Sequence, residues 1–277
     1  MQPKYCLNKR GARPPKSCGG VNALTRTTRN GVNLIIDIGN TCAKLVCFDG
    51  EDIVGEQRID RGEAYLIDEF CGKYNFTKGI YSTVADITPL MREKIQELPF
   101  NMLELVSGKT PVPIKVKYAT PLTLGTDRLA AAVAAARLKP GRDVMVVDIG
   151  TCVTFDFVNA AGEFIGGNIS PGPQMRFKAL HQFTARLPKV ERRGVTPEIG
   201  TTTMTAIRSG VLYGIKYEIE GYINNFAKKY PSLFIYITGG VHLDLNFADG
   251  CETTTDDYIV PRGLNSILLY NTPDKTN

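Results

Sequence analysis

Hydrophobic positions along this chain recur with two periods, and each period predicts one kind of element. Short apolar runs such as 34–36 and 233–238 are typical of buried strands. Residues 204–229 place an apolar face along one long helix, and the Ala-rich run 129–138 predicts a second helix that opens near Thr126. The same reasoning predicts helices at 63–74, 87–98 and 174–183, strands at 51–59, 78–84, 101–106, 112–118 and 162–169, and a strand end followed by a closing helix over 261–270.

The long helix contains three glycines, at 210, 214 and 221. Glycine inside a helix costs about 1 kcal/mol relative to alanine. We therefore expect a neighbouring element to pack closely against the helix at these three positions.

Two strand–turn–strand segments share one motif. Residues 34–48 run from an apolar strand through Asp37 and a glycine turn into a second strand, which predicts a β-hairpin. Residues 144–158 repeat the pattern around Asp148, 111 residues further along the chain. Both copies read Asp-Ile-Gly and continue to Thr-Cys within a few residues. A repeat of this length indicates a duplicated domain rather than a solenoid, whose periods are shorter.

The turn of each hairpin is suited to binding phosphate. Glycine at position 39 lets a ligand approach the backbone, and the Asn40 amide and Thr41 hydroxyl can surround phosphate oxygens. Asp37 would face the same spot, where Mg²⁺ bound to phosphate needs a carboxylate. For one copy alone, an ordinary hairpin with an Asx turn is the alternative. Two such hairpins facing each other would clamp a triphosphate between two lobes, which resembles the actin, hexokinase and Hsp70 superfamily.

The positive charge of the chain is concentrated in its first residues. The formal net charge is +5, but residues 1–32 carry seven basic side chains and no acidic one, which leaves 26 basic and 28 acidic residues elsewhere. The near-neutral body gives no argument for nucleic acid, and no apolar run approaches the ~18 residues of a membrane span. Residues 1–32 have a disordered composition, and we interpret them as a basic tail. We expect deletion of residues 1–31 to leave activity and stability unchanged.

Cysteine usage argues against a structural zinc site. Seven cysteines are scattered without a CxxC pair, and the chain has two histidines. This pattern suits a reducing cytoplasm, which is the location we expect. Cys42 and Cys152 follow the threonines of the two phosphate turns, and we interpret both as small buried packing residues.

The sequence Gly-Thr-Asp-Arg at 125–128 begins the Ala-rich helix. Asp127 in this position could cap the helix or offset its dipole. The functional interpretation is that Asp127 projects into the cleft as a general base, with Arg128 beside it. Proximity to the helix N-terminus predicts a lowered pKa for Asp127, and therefore an ionised carboxylate at neutral pH.

The order and spacing of these motifs resemble the type III pantothenate kinases over about residues 33–271. The motifs are 37–41, Tyr118, 125–128, 148–151, Gly-Gly-Asn-Ile-Ser-Pro-Gly at 166–172, Thr203 before Ser209-Gly210, and Gly239-Gly240. Each motif is common alone, but the set is specific. The resemblance implies an α/β fold of two duplicated actin-like (ribonuclease H-like) lobes, 33–140 and 141–277, around a central nucleotide cleft.

The resemblance also implies an activity, which is transfer of the ATP γ-phosphoryl group to pantothenate in the first step of coenzyme A biosynthesis. Asp127 would be the proton acceptor, Asp37 would lie near Mg²⁺, and Asp148 would bind K⁺ or NH₄⁺. Family members are homodimers with the pantothenate pocket near the subunit interface. ATP would contact Asp37, Ile38, Gly39, Asn40, Thr41, Cys42, Ala43, Lys44 and Thr151, and pantothenate would contact Tyr118, Gly125, Thr126, Asp127, Arg128 and Thr203.

Two side chains are assigned less directly. We hypothesise that Arg128 meets the pantothenate carboxylate, because a planar guanidinium is a bidentate partner for such a group. Lys44 either neutralises phosphate charge or points to solvent from its strand.

Two other interpretations stay open. The same family contains proteins first described as accessory factors for virulence gene expression, so a regulatory role is one alternative. Another small-molecule kinase on the same fold is the second. The presence of Asp37, Asp127 and Asp148 together favours an active enzyme over the regulatory role.

Overall fold

The structure, a computed structural model, describes residues 31–247 and 250–272. The predictions made for the basic tail therefore lie outside the described residues, apart from its last two positions. None of the described helices is long and apolar enough to cross a membrane. The five described cysteines, at 42, 47, 71, 152 and 251, are unpaired.

The first sheet has five strands in the order β3-β2-β1-β4-β5. The strands are β1 (Val32–Ile38), β2 (Cys42–Asp49), β3 (Asp52–Asp60), β4 (Phe76–Thr83) and β5 (Asn101–Glu104). β1 pairs antiparallel with β2 and parallel with β4. Helices α1 (Leu66–Cys71) and α2 (Pro89–Gln96) contribute apolar side chains to the core on one face of this sheet.

The second sheet repeats this order. Its strands are β6 (Lys115–Val116), β7 (Val144–Ile149), β8 (Cys152–Val158), β9 (Glu163–Pro171), β10 (Phe234–Thr238) and β11 (Glu252–Thr255), arranged as β11-β10-β7-β8-β9-β6. β7 pairs antiparallel with β8 and parallel with β10, as β1 does with β2 and β4. The predicted duplication is therefore confirmed by topology. Helices α4 (Pro173–Gln182) and α5 (Thr203–Lys229) share a core with one face of this sheet.

Two helices lie between the sheets and join them into one core. These are α3 (Thr126–Leu138), which follows a short 3₁₀ helix at Pro121–Thr123, and α6 (Ile259–Asn271). Their side chains pack with Ile35 and Ile80 of the first sheet and with Val144 and Val146 of the second. Because β1 and β7 are covered on both faces, they read as continuous apolar runs. The predicted lobe boundary at residues 140–141 stays a prediction, since α3 contacts both sheets and α6 packs on β1 and β4.

Two predicted elements differ from the structure, and one strand of the structure was not predicted. The strand expected over 112–118 is reduced to β6, because the prolines near its start cannot donate ladder hydrogen bonds. The strand end expected at 261 is wrong. Pro261 lies in the first turn of α6, where a missing N–H costs no helical hydrogen bond. β11 was not predicted, since its four residues are exposed and carry no apolar pattern.

The close packing expected at the α5 glycines is also wrong for this chain. A Cβ added at Gly210 or Gly221 would meet nothing within 4 Å, and one at Gly214 would meet only the Arg176 guanidinium at 3.9 Å. The close helix crossing is found instead at Gly263 of α6. A Cβ there would lie 1.8 Å from the carbonyl oxygen of Ala130 in α3.

Candidate active site

The two motif aspartates occupy equivalent places in the two sheets. Asp37 lies near the end of β1, opposite Ser82 of the parallel strand β4. Asp148 lies near the end of β7, opposite Thr238 of β10. The Ser82 hydroxyl donates a 3.0 Å hydrogen bond to Asp37 Oδ1, which orients the carboxylate. Because parallel strands end at the same edge, each sheet delivers its aspartate to the cleft.

The hairpin turns are closed by their own backbone. The N–H of Gly39 donates to the Cys42 carbonyl at 3.0 Å, and the N–H of Gly150 donates to the Cys152 carbonyl at 2.8 Å. These two glycine amides are therefore used inside the turns, and a phosphate nest would have to be built from the residues that follow. Those residues, Asn40, Thr41 and Thr151, are exposed.

One cavity of about 330 Å³ contains all three aspartates of the predicted site, and we call it the Asp127 cavity. Its walls come from both hairpins and from the first turn of α3. It is lined by Asp37, Gly39, Asn40, Val84, Asp127, Arg128, Asp148, Gly150, Thr151, Cys152, Thr154, Ile169 and Val260.

A second cavity of about 170 Å³ continues the cleft, and we call it the Lys44 cavity. It shares Asp37, Gly39, Asp148 and Val260 with the Asp127 cavity, so the two cavities adjoin. It is lined in addition by Cys42, Lys44, Arg58, Thr238, Gly239, Gly240, Asp257 and Pro261.

Gly239 closes the cleft against the second hairpin. Its φ is +102°, and a Cβ there would lie 2.5 Å from both Asp148 Oδ1 and the Ile149 carbonyl. Only glycine fits this position without strain or displacement. The Gly-Gly turn after β10 therefore brings bare backbone to the wall of the cleft.

Lys44 points across the cleft rather than to solvent. Its Nζ donates a 2.7 Å hydrogen bond to the Asp257 carbonyl and lies 5.0 Å from the centre of the Tyr258 ring. Burial lowers the pKa of Lys44, and the neighbouring charge of Arg58 lowers it further, while Asp37 opposes the shift. The ammonium group thus connects the first hairpin to the segment that precedes α6.

Asp127 is set into the cleft by the residues around it. Gly125 is the N-cap of α3, and a Cβ there would lie 2.6 Å from Asp127 Oδ1, so glycine leaves room for the carboxylate. Asp127 Oδ1 accepts a 2.7 Å hydrogen bond from the Arg128 N–H. Burial raises the pKa of Asp127 despite this bond and the charge of Arg128. The lowered pKa expected from the helix dipole is therefore wrong, because desolvation of the carboxylate outweighs the dipole.

Asp37 and Asp148 share this environment. Burial, together with repulsion from Asp127, raises the pKa of Asp37 to about 6 even though Ser82 lowers it. Burial, followed by repulsion from Asp127, Asp37 and Asp156, raises the pKa of Asp148 to about 7. Desolvated carboxylates that repel one another favour a bound cation.

The carboxylates of the cleft fit a metal ion that is bound partly by the protein and partly by phosphate groups of a substrate. Within the described residues, no group of three His, Cys, Asp or Glu side chains is close enough to hold an ion alone. Mg²⁺ usually keeps several waters and binds through one or two carboxylates and substrate phosphates. Asp37, oriented by Ser82 beside the first turn, fits that mode of binding.

The raised carboxylate pKa values predict a pH-dependent stability. Unfolded aspartates titrate near pH 4, so between about pH 4 and 7 the native protein binds more protons than the unfolded chain. The free energy of unfolding therefore falls as the pH rises through this window. We expect the melting temperature without Mg²⁺ and K⁺ to drop by roughly 5–10 °C from about pH 5 to about pH 8.

Calorimetry on the wild type and on Asp37→Asn would check this dependence. The variant lacks one of the titrating carboxylates, so its melting temperature should fall less steeply over the same range. A wild-type melting temperature that rises from about pH 5 to about pH 8 would contradict the assigned shifts.

Arg128 is already paired within the chain. Its Nε and Nη2 contact Asp156 Oδ1 at 2.8 and 2.6 Å, and its guanidinium lies 5.8 Å from the centre of the Tyr118 ring. Both members of the ion pair are buried. Asp156 therefore takes the Nε hydrogen bond of the side chain that was predicted to meet a substrate carboxylate. Nη2 has no hydrogen-bond partner among the described residues, and the side chain lines the Asp127 cavity.

Other predicted site residues lie away from the cleft surface. Thr126 is buried and donates a 3.1 Å hydrogen bond to the Thr83 carbonyl, so its hydroxyl ties α3 to β4. Ile38 and Ala43 are core residues of the first hairpin. Thr203 lines a separate apolar groove between α4 and α5. The structure thus brings together the three aspartates, Lys44, Thr151 and Arg128, but it does not bring Thr203 to them within one chain.

Reasoning from sequence missed one residue that lines the cleft and two buried residues that hold cleft side chains. Ser82 orients Asp37, Arg58 lines the Lys44 cavity beside Lys44, and Asp156 holds Arg128. Asp156 did carry a signal, because a carboxylate inside an apolar strand needs a partner. Ser82 and Arg58 sit on alternating positions of ordinary strands, and their role depends on which strands become neighbours.

Comparisons of the sequence with a family model and with individual relatives point to one and the same family. The family described as type III pantothenate kinase matches residues 33–225. A type III pantothenate kinase of Phocaeicola vulgatus is 47% identical over 243 residues, covering 87% of this chain and 99% of that protein. One from Bacteroides fragilis is 46% identical over 245 residues, covering 87% and 98%.

Solved structures support the fold. A putative 2-dehydro-3-deoxygalactonokinase from Sinorhizobium meliloti has a TM-score of 0.51 at 14% identity, over 88% of this chain and 98% of that protein. At this identity the likeness concerns the fold alone. Together with the repeated strand order, it confirms the predicted α/β fold of two lobes around a cleft.

Proposed function

The chain belongs to the type III pantothenate kinase family, and from this premise we propose that it phosphorylates pantothenate with ATP in the first step of coenzyme A biosynthesis. The observation that carries the proposal is the Asp127 cavity, in which Asp37, Asp127 and Asp148 meet at the two hairpin turns. Phosphoryl transfer depends on positioning and charge stabilisation more than on covalent chemistry, and this cleft offers both.

ATP is proposed to bind across the two hairpins. The exposed turn residues Asn40, Thr41 and Thr151 would contact its phosphates, and Lys44 and Arg58 would supply positive charge from the Lys44 cavity. The bare backbone at Gly239 would accept the nucleoside. Mg²⁺ held between Asp37 and the phosphates would neutralise charge that develops during transfer.

Asp127 is proposed to orient the primary hydroxyl of pantothenate and to accept its proton. A carboxylate in this role must reach the hydroxyl by a hydrogen bond, and its pKa should lie closer to the working pH than that of an exposed aspartate. Gly125 keeps the space beside the carboxylate open, and burial raises the pKa of Asp127. Tyr118 and Arg128 would complete the acceptor side of the cleft.

Asp148 is proposed to bind a monovalent cation, K⁺ or NH₄⁺. Its raised pKa means that an unneutralised carboxylate is disfavoured beside Asp127 and Asp37. A cation would restore the ionised form and offset the negative charge that ATP brings.

We further propose that the protein is a homodimer formed through the α4/α5 face. A groove of about 960 Å³ lies there, lined mostly by apolar side chains and by Thr203 at the start of α5. Phe183 and Met204 are 86% and 50% exposed on this side, and exposed apolar side chains of this kind favour a second copy. In the dimer, Thr203 would serve the partner's pantothenate pocket. Analytical ultracentrifugation showing only a 30.4 kDa species would exclude this arrangement.

An ADP-release assay tests the proposed activity. We expect turnover that depends on pantothenate, that is high in K⁺ or NH₄⁺, and that falls by about tenfold or more when Na⁺ replaces them, since a smaller ion alters the geometry around Asp148. ATP binding without turnover in either cation would favour another acceptor or the regulatory alternative. Equal rates in K⁺ and Na⁺ would be compatible with the proposed kinase activity but would contradict the proposed cation site at Asp148.

A further inference from the structure

A charged residue interrupts the apolar strand β8. Asp156 lies between Phe155 and Phe157 and is 1% exposed. A carboxylate in such a place costs several kcal/mol unless it is paired and hydrogen-bonded. Asp156 therefore needs a positively charged partner inside the fold.

Asp156 is paired with Arg128, the residue that follows the proposed base. One carboxylate oxygen, Oδ1, accepts a hydrogen bond from Nε at 2.8 Å and lies 2.6 Å from Nη2 in an ionic contact. Nη2 is buried and has no hydrogen-bond partner among the described residues. Burial raises the pKa of Asp156 to about 6, while the hydrogen bond and the charge of Arg128 and a hydrogen bond from Thr154 oppose this shift. A charge-assisted hydrogen bond and a second ionic contact to the same oxygen orient the guanidinium toward Asp156.

The ion pair is closely surrounded on two sides. Gly167 of β9 lies opposite Asp156 in the sheet. A Cβ at Gly167 would lie 2.7 Å from Asp156 Oδ1, 2.8 Å from Arg128 Nη2 and 2.0 Å from the Phe155 carbonyl. The Tyr118 ring covers the guanidinium from another side. The second glycine of the Gly-Gly motif is thus explained by close approach to the ion pair.

The pair connects the two sides of the cleft. Arg128 and Asp127 are neighbours in the first turn of α3, so fixing one fixes the backbone of the other. Asp156 belongs to β8, which begins at Cys152 directly after the turn residue Thr151. The link therefore sets the proposed acceptor side against the proposed ATP side.

We propose that Asp156 is a positioning residue for phosphoryl transfer, which holds Arg128 and the first turn of α3 in the geometry that the acceptor requires. This role rests on the proposed kinase function. A merely structural ion pair would contribute stability without distinguishing between the two substrates.

The test is a kinetic comparison of Asp156→Asn with the wild type, at a temperature where both are folded. The variant keeps the shape of the side chain and one acceptor oxygen but loses the charge. We expect kcat/KM for pantothenate to fall on the order of 10²-fold, while KM for ATP changes by less than about threefold. If Asp156→Asn does not fold, Asp156→Glu keeps the charge, displaces the carboxylate, and should show the same split.

A double-mutant cycle with Arg128→Lys tests whether Asp156 acts through Arg128. Because Asp156 acts through Arg128, the double variant should be no worse than the poorer single variant. If the losses of kcat/KM for pantothenate in the two single variants multiplied in the double variant, Asp156 would not act through Arg128.

Asn265→Ala is the matched control. It removes a buried hydrogen bond between Asn33 and Asn265, at 2.9 Å, away from the cleft. It should lower the melting temperature and leave both KM values unchanged. Unchanged kinetics in Asp156→Asn, or equal rises in both KM values, would overturn the positioning role. A wild type without pantothenate-dependent turnover would overturn the proposed function and this role with it.

Discussion

Replacing Asp127 by Asn should lower kcat by about 10²–10⁴-fold, because the amide cannot accept the proton of the acceptor hydroxyl. The substitution keeps the shape of the side chain, so the first turn of α3 and its Gly125 cap should be preserved. Asp127 lines the Asp127 cavity and not the Lys44 cavity, where the nucleoside is proposed to bind, so KM for ATP should change little. Steady-state kinetics with each substrate varied in turn would measure both effects.

Asp68→Asn is the matched control for this experiment. Asp68 also lies in the first turn of a helix, α1, but it is exposed and paired with Lys94 at 2.9 Å outside the cleft. Its replacement should leave kcat within about twofold, since exposed ion pairs contribute little. If Asp127→Asn kept more than about a tenth of wild-type kcat, Asp127 would not be the base.

Replacing Gly263 by Ala should destabilise the protein by about 3 kcal/mol, lowering the melting temperature by roughly 5–10 °C. The added methyl group would lie 1.8 Å from the Ala130 carbonyl oxygen, and this atom belongs to helix backbone that cannot rotate away. The two helices would have to move apart, and because their contact is part of the core that joins the two sheets, this movement would weaken that core. Helix propensity alone predicts the opposite sign, a gain of about 1 kcal/mol.

Gly221→Ala supplies the contrast, because that position is helical but has no atom within 4 Å of the added methyl group. It should stabilise the protein by up to about 1 kcal/mol through helix propensity. Thermal unfolding of both variants would measure the difference. A Gly263→Ala protein as stable as the wild type would show that α3 and α6 do not cross as closely as described.

The sequence by itself determined the duplication, the hairpin turns and the family. These features are local or repeated, so the order Asp-Ile-Gly and the apolar runs around it specify them without knowledge of neighbours. The start of α3 at Thr126 was likewise predictable, because a glycine followed by a polar turn and an Ala-rich run is a strong helix signal.

Only the tertiary structure decided the chemistry of the site residues. The pKa of Asp127 depends on how much water the folded chain removes, and burial outweighed the helix dipole that sequence suggested. The partner of Arg128 is Asp156, which comes from a strand 28 residues away. Gly263 looks like any helical glycine in sequence, yet the crossing with α3 makes its missing side chain necessary. In each case the property belongs to a contact between distant segments, and hydrophobic periodicity within one segment carries no information about such contacts.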